Sequence, residues 1–345
     1  MTATATAPVS VGVIGAGRIG RLHAELLARR IPGASLGAVY DVHQPFARDV
    51  ASDLDVPAAA SVEEILDADV DAVAVCSSAD THVELIVAAA EAGKAIFCEK
   101  PVSLDLHELD RGLEAVRRAG VPFQIGFNRR FDPAHASVAE AVAAGRIGDP
   151  HLVRISSRDP EPPSLEYVRT SGGLFLDMMI HDFDMARFVT GSEVVEVFAR
   201  GAIRVRPDFA GAGDVDTALV TLVHASGCLT AIDNSRRAAY GFDQRVEVFG
   251  SLGMAASENP PAHTGVVTTA AGAQRPPLPH FFLERYLDSY EREWQAFIDA
   301  LRAGSAPPVD LQDARAPLVI GLAAWHSLRE GRPVTLDELE EAHGG

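Results

Sequence analysis

The feature that most constrains this chain is a glycine loop, Gly15-Ala16-Gly17-Arg18-Ile19-Gly20, set between the apolar, β-branched run 9–14 and the helically spaced residues 18–30. A second apolar run, 35–40, ends at Asp41, about 20 residues beyond the loop. Strand, loop, helix and strand in that order form the unit that a right-handed parallel crossover requires. In such a unit Gly15 allows the tight turn, Gly17 lets backbone approach a phosphate, and Gly20 lets the helix pack on the strand. The helix N-terminus offers unpaired N–H groups and a positive dipole end to a pyrophosphate. The alternative is a merely structural glycine turn; the strand before, the helix after and Asp41 beyond favour a dinucleotide. A carboxylate at Asp41 can accept from both ribose hydroxyls of NAD and would repel a 2′-phosphate. Val42-His43 supply no arginine to hold that phosphate, so NAD is the expected cofactor.

The pattern then repeats. Helical spacing at 45–54, 61–68, 81–92 and 104–119 alternates with apolar runs at 71–76, 95–98 and 122–126. Strands without alternating polarity, separated by helices, indicate a parallel sheet covered on both faces. After about residue 128 the texture changes. Residues 133–144 and 172–190 are helical, and the runs 194–205, 218–236, 245–255 and 264–271 are longer and alternating, as half-buried antiparallel strands are. Ala225-Ser226-Gly227 reads as a hairpin turn, and helices follow at 283–302 and 311–328. The expected fold class is α/β: an N-terminal Rossmann dinucleotide-binding domain over 1–127, then a C-terminal α+β domain over 128–345 with a large open, mainly antiparallel sheet. A late helix is a candidate to pack back on the first domain. An open sheet must cover its free face, and a partner subunit is the simplest cover.

Composition narrows the function. A formal charge of −18 argues against a nucleic-acid partner and against adsorption to anionic lipid. Cys76, Cys98 and Cys228 lack metal or redox spacing and read as buried small hydrophobes of a reduced protein. No apolar stretch is long enough to span a membrane, and the first eight residues lack the pattern of a signal peptide. A cytoplasmic protein is expected.

Two further motifs carry chemistry. Lys100 lies just past an apolar strand, between Glu99 and Pro101, and strand C-termini are where open α/β sheets build their ligand crevice. A lysine there can donate to a substrate oxygen; the plainer alternative is a surface lysine at a strand end. Asp177, His181 and Asp184 are spaced i, i+4, i+7 and would share one face of a single helix. His181 can take a hydroxyl proton, with Asp177 orienting it. The alternative makes His181 a hydrogen-bonded core histidine, and for Asp184 a structural acceptor is the preferred reading. Metal ligation by Asp177 and His181 lacks support from an H-x-x-x-H pair or a cysteine cluster, so no metal is expected.

These motifs resemble the Gfo/Idh/MocA oxidoreductases over nearly the whole chain. The glycine loop with His23 is similar to the family's opening, and Glu99-Lys100-Pro101 to its signature tripeptide. The segments 157–160, 171–178, 181–187, Asn234-Ser235-Arg236, Tyr240-Gly241 and 243–250 resemble the family's inositol branch. The resemblance implies NAD-dependent oxidation of a cyclic polyol, foremost myo-inositol to 2-keto-myo-inositol, in a tetramer built through the open sheet. It implies Lys100, Asp177 and His181 as the catalytic group, with His181 as proton acceptor. The implied cofactor contacts are Gly15, Gly17, Arg18, Ile19, Gly20, Asp41, Ser77, His82, Glu99 and Lys100. Arg130, Asp159 and Tyr240 are the implied lining of the polyol pocket. Around Ser77 the sequence Cys76-Ser77-Ser78 departs from the family's Thr-Pro. The alternatives are a dehydrogenase of another inositol isomer or a pyranose sugar, and a non-catalytic NAD-binding regulator on the same fold.

Overall fold

The structure, a computed structural model, describes residues 7–343 and divides into two units, each with its own sheet and core. The first runs to Asn128 and includes Tyr290–Arg315; the second comprises Arg129–Ser289 and the residues from Ala316 on.

In the first unit the elements alternate as β1 (Val9–Ile14), α1 (Arg18–Arg29), β2 (Ala34–Tyr40), α2 (Gln44–Leu54), α3 (Val62–Asp67), β3 (Ala72–Val75), α4 (Ala79–Glu91), β4 (Ala95–Glu99), α5 (Leu106–Ala119) and β5 (Phe123–Gly126). All strand pairs are parallel, in the order β2-β1-β3-β4-β5. Every residue of β3, β4 and β5 is buried, which is why these runs show no alternation. Ser61 caps α3 by accepting from the Glu64 amide. β1 has β2 on one side and β3 on the other, so the order reverses there, and the ligand crevice of such a sheet opens at the C-terminal ends of these strands. Tyr290–Arg315 belongs to this unit through specific bonds: Gln124 Nε2 donates to the Glu293 carbonyl at 3.2 Å, and the Ile125 amide to Val309 O at 3.1 Å.

The second unit contains α6 (Pro133–Ala143), β6 (Pro150–Arg158), α7 (Leu165–Thr170), α8 (Ile180–Thr190), β7 (Val194–Ala202), β8 (Thr217–His224), β9 (Leu229–Ser235), β10 (Asp243–Gly250), β11 (Gly253–Ser257), and the small hairpin β12 (Val267–Thr269) and β13 (Gly272–Gln274). Then come α9 (Phe282–Ala303), whose residues from Tyr290 on belong to the first unit, α10 (Leu311–Glu330), β14 (Val334–Thr335) and α11 (Leu336–His343). The seven-stranded sheet has the order β11-β10-β6-β9-β8-β7-β14 and is antiparallel except for β6 on β9. Buried and exposed residues alternate along β8, so one face packs and the other is open.

Four elements differ from expectation, the first being the run 264–271, where β12 is three exposed residues of the small hairpin with β13. β6 is a central strand that the sequence reading did not identify. The run 245–255 is two strands, β10 and β11, joined at Ser251-Leu252. The stretch 172–190 is not one helix. It begins as a π-helical turn, Leu174–Met178, and becomes α-helical only at α8.

Candidate active site

The glycine loop lies at the end of β1. Gly15 has φ +100°, and a Cβ there would stand 2.5 Å from the Ser77 amide nitrogen, so only glycine lets the loop lie against the chain after β3. A Cβ at Gly20 would collide with the Gly15 carbonyl oxygen. Gly17 is different: it is exposed, its φ is −66°, and a Cβ would meet nothing within 4 Å. The protein's own packing does not require glycine at this position, which caps α1 with no side chain over the helix N-terminus. A pyrophosphate approaching the helix end does require it. Arg18 and Ile19 open the helix. Asp41 at the end of β2 accepts from the Ala16 amide through Oδ2 at 2.6 Å and from the His43 amide through Oδ1 at 2.7 Å. Each oxygen keeps a further lone pair for a ribose hydroxyl. The loop and Asp41 thus fit the dinucleotide that the sequence pattern implies.

Ser77 and Lys100 lie just beyond the neighbouring strand ends. Ser77 Oγ pairs with Thr81 Oγ1 at 2.7 Å. His82 is fully buried, with Nδ1 2.9 Å from Pro101 O and Nε2 3.0 Å from Ser77 O. Burial lowers its pKa while the two carbonyls pull the other way. The ring clamps the loop after β3 to the loop after β4. Glu99 ends β4, and the Lys100-Pro101 peptide bond is cis.

In the second unit Gly173, at φ +71°, starts the π turn, and the Leu174 amide donates to Asp214 Oδ1 at 3.1 Å. A Cβ at Gly173 would stand 2.7 Å from that oxygen. The turn buries Asp177, which accepts from the Tyr167 hydroxyl at 2.9 Å and faces Arg236 Nη1 at 3.3 Å. π-helical turns recur at functional sites. His181 stands in the first turn of α8, half-buried, while Asp182 to Arg187 behind it are fully buried. Arg236 Nη1 is also 3.7 Å from Asp159 Oδ2, so one buried guanidinium serves two carboxylates. Loss of solvent pushes the Asp159 carboxyl up to about 6, against the pull of Arg236. Tyr167 and Arg236 were not assigned roles from sequence; Arg236 was visible only as part of a family segment.

Other expected residues have different partners. The guanidinium of Arg130, a residue expected in the polyol pocket, closes on Asp184, with Nε to Oδ2 at 2.9 Å and Nη2 to Oδ1 at 2.6 Å. Asp184 is therefore the structural acceptor, and Arg130 its internal counter-charge. Arg129, not singled out from sequence, makes a parallel bridge to Asp182 at 2.8 Å, completed by Asn234 and Ser157. Tyr240 Oη donates to Asp243 at 2.6 Å and accepts from Arg158 at 2.9 Å. Among the described residues no group of three or more His, Cys, Asp or Glu could hold a metal ion, and no helix is long and apolar enough to cross a membrane.

Residues 9–127 match the family model described as oxidoreductase family, NAD-binding Rossmann fold, and residues 135–256 match the GFO/IDH/MocA C-terminal domain. That pairing defines a two-domain, NAD-binding oxidoreductase. The chain belongs to the Gfo/Idh/MocA oxidoreductase family. It is 50% identical over 331 residues to a Thermotoga maritima protein named myo-inositol 2-dehydrogenase, covering 95% of this chain and 99% of the relative. It is 42% identical over 330 residues, with 95% and 99% coverage, to inositol 2-dehydrogenase of Rhizobium meliloti. A solved myo-inositol dehydrogenase from Corynebacterium glutamicum matches at TM-score 0.91 and 38% identity, covering 95% of this chain and 99% of that one. A scyllo-inositol dehydrogenase from Lactobacillus casei, solved with bound NAD(H) and scyllo-inositol, matches at TM-score 0.90 and 29% identity, covering 96% and 99%.

Proposed function

We propose that this protein oxidises myo-inositol to 2-keto-myo-inositol (scyllo-inosose) with NAD. The observation that carries the reading is the relationship, over 95% of the chain, to two proteins named for inositol 2-dehydrogenation. Scyllo-inositol is the second substrate to try, because a solved relative holds it together with NAD(H).

In this reading Gly15, Gly17, Arg18, Ile19, Gly20 and Asp41 hold the dinucleotide, with Ser77, Glu99 and Lys100 at the adjoining strand ends. Bound NAD supplies the hydride acceptor. His181 takes the proton of the hydroxyl whose carbon is oxidised, a task that suits imidazoles in general near neutral pH. Asp177, oriented by Tyr167 and Arg236, stabilises the cationic ring that results. Lys100 donates to the same substrate oxygen and offsets the negative charge that develops there. Asp159 and Tyr240 offer acceptors and a hydroxyl to the remaining polyol hydroxyls.

We also propose a homotetramer assembled on the open sheet face. Met254, Phe249, Leu152 and Leu229 are each 42–54% exposed and stand opposite one another in register across β11, β10, β6 and β9. A continuous apolar row of this kind is what a second copy would cover.

A panel of inositols and pyranoses, assayed for NADH absorbance with NADP run beside NAD, tests the reading. Turnover of myo-inositol with NAD supports it. Preference for scyllo-inositol would reassign the substrate within the class, and reduction of NAD by pyranoses alone would overturn the inositol reading.

A further inference from the structure

We infer that Trp294, His23 and Glu99 form a positioning chain that fixes the backbone at Lys100, with the buried indole N–H selecting the histidine tautomer on which the chain depends. The inference rests on the role proposed above for Lys100. Trp294 lies on α9, 271 residues from His23 in sequence, and its Nε1 donates to His23 Nδ1 at 2.8 Å. An indole nitrogen can only donate, so Nδ1 must be the acceptor and the ring proton must sit on Nε2. Nε2 lies 2.8 Å from Glu99 Oε1 and therefore donates to it. The second carboxylate oxygen, Oε2, accepts from the Lys100 amide at 3.2 Å. Donor meets acceptor at every link, and the opposite tautomer would set N–H against N–H at Trp294.

Solvent does not reach the link between Trp294 and His23. His23 and Trp294 are both 0% exposed. Phe97 stacks on Trp294 with ring centroids 4.3 Å apart, and the His23 ring meets Phe97, Tyr290 and Trp294 edge-on at 5.3 to 5.7 Å. The aromatic wall holds the imidazole plane, and the three hydrogen bonds hold its proton. Trp294, His23 and Glu99 are positioning residues, acting through Lys100.

Trp294→Phe keeps the stacked ring and removes only the N–H. His23→Gln keeps one donor and one acceptor, whereas His23→Leu keeps neither. Hydrogen exchange of the Lys100 amide reads the chain without turnover, and kcat, KM and NADH affinity read its effect on catalysis. Trp294→Phe is expected to speed exchange about tenfold and lower kcat about tenfold, with NADH affinity unchanged. His23→Gln should keep more turnover than His23→Leu. The double variant Trp294→Phe/His23→Leu should fall no further than His23→Leu, because the indole N–H acts only through His23. Should Trp294→Phe not fold, the two His23 variants carry the comparison. Unchanged exchange at Lys100, equal losses in the two His23 variants, or additive losses in the double variant would overturn the chain. If the parent protein oxidises no polyol, the proposed substrate fails, while the exchange measurement still decides whether the chain exists.

Discussion

Tyr167 donates its phenolic hydrogen to Asp177 Oδ1 at 2.9 Å, so a ring 49% exposed on α7 holds a carboxylate that the π turn has buried. Arg236 also faces that carboxylate, at 3.3 Å. Tyr167→Phe removes one hydrogen bond to a charged acceptor, an interaction worth about 1.5–3 kcal/mol. The expected result is a kcat about tenfold lower and a melting temperature a few degrees lower, with NADH affinity unchanged. Steady-state kinetics beside a thermal melt checks this; an unaltered kcat would mean that Asp177 is held without the Tyr167 hydroxyl.

His181→Ala and Lys100→Ala each remove a group assigned to proton transfer or charge stabilisation. Turnover should drop by about 10²-fold or more, the range typical of such groups. NADH binding by His181→Ala, followed by fluorescence titration, should stay near the parent value. Parent-like turnover in either variant would remove that residue from the reacting group.

Gly17 and Gly20 separate a ligand's demand for glycine from the fold's. Gly17→Ala places a methyl in open space at an ordinary backbone conformation, so stability should hold while NADH affinity drops about tenfold or more. Gly20→Ala drives a methyl onto the Gly15 carbonyl oxygen and should lower stability by about 1–3 kcal/mol. Urea unfolding with and without NADH distinguishes the two. A destabilised Gly17→Ala protein with normal affinity would contradict the assignment.

Asp159 makes stability depend on pH. Its carboxyl is raised from an ordinary 3.8 to about 6 in the folded protein, chiefly by loss of solvent. A carboxyl raised on folding binds more protons folded than unfolded between those two values. Its stabilising share is therefore whole below the lower value and is lost as pH rises through the upper one. The interval corresponds to on the order of 3 kcal/mol. Asp159→Asn should consequently be more stable than the parent near about pH 8 and equal to it near about pH 4. Urea midpoints at the two pH values decide; a variant destabilised at the higher pH would show that the Arg236 pairing outweighs the desolvation.

The first unit was largely legible because its signals are local. Unbroken apolar runs, Ser61 capping Glu64, and three glycines after a strand act within a few residues of themselves. β6 escaped notice for a physical reason. Its core face reads Val153, Ile155, Ser157, and the serine is fully buried because Arg129 and Gln244 satisfy its hydroxyl. A polar residue on the buried face hides the alternation that marks a strand. The π turn escaped for a similar reason: spacing in sequence does not distinguish a π turn from an α turn, and Asp214, some way along the chain, engages its first amide.

What the sequence by itself determined was a glycine loop that can seat a pyrophosphate, a carboxylate at Asp41 just past the second strand, and the lysine, aspartate and histidine offered for chemistry. Tertiary structure alone decided that Arg130 neutralises Asp184, that Tyr167 and Arg236 hold Asp177, and that Trp294 sets the proton on His23. The strand, loop and helix around the glycines answer chiefly to their near neighbours in sequence. A buried polar side chain must instead be satisfied by whatever donor or acceptor the folded chain brings to it, and that partner can lie hundreds of residues away.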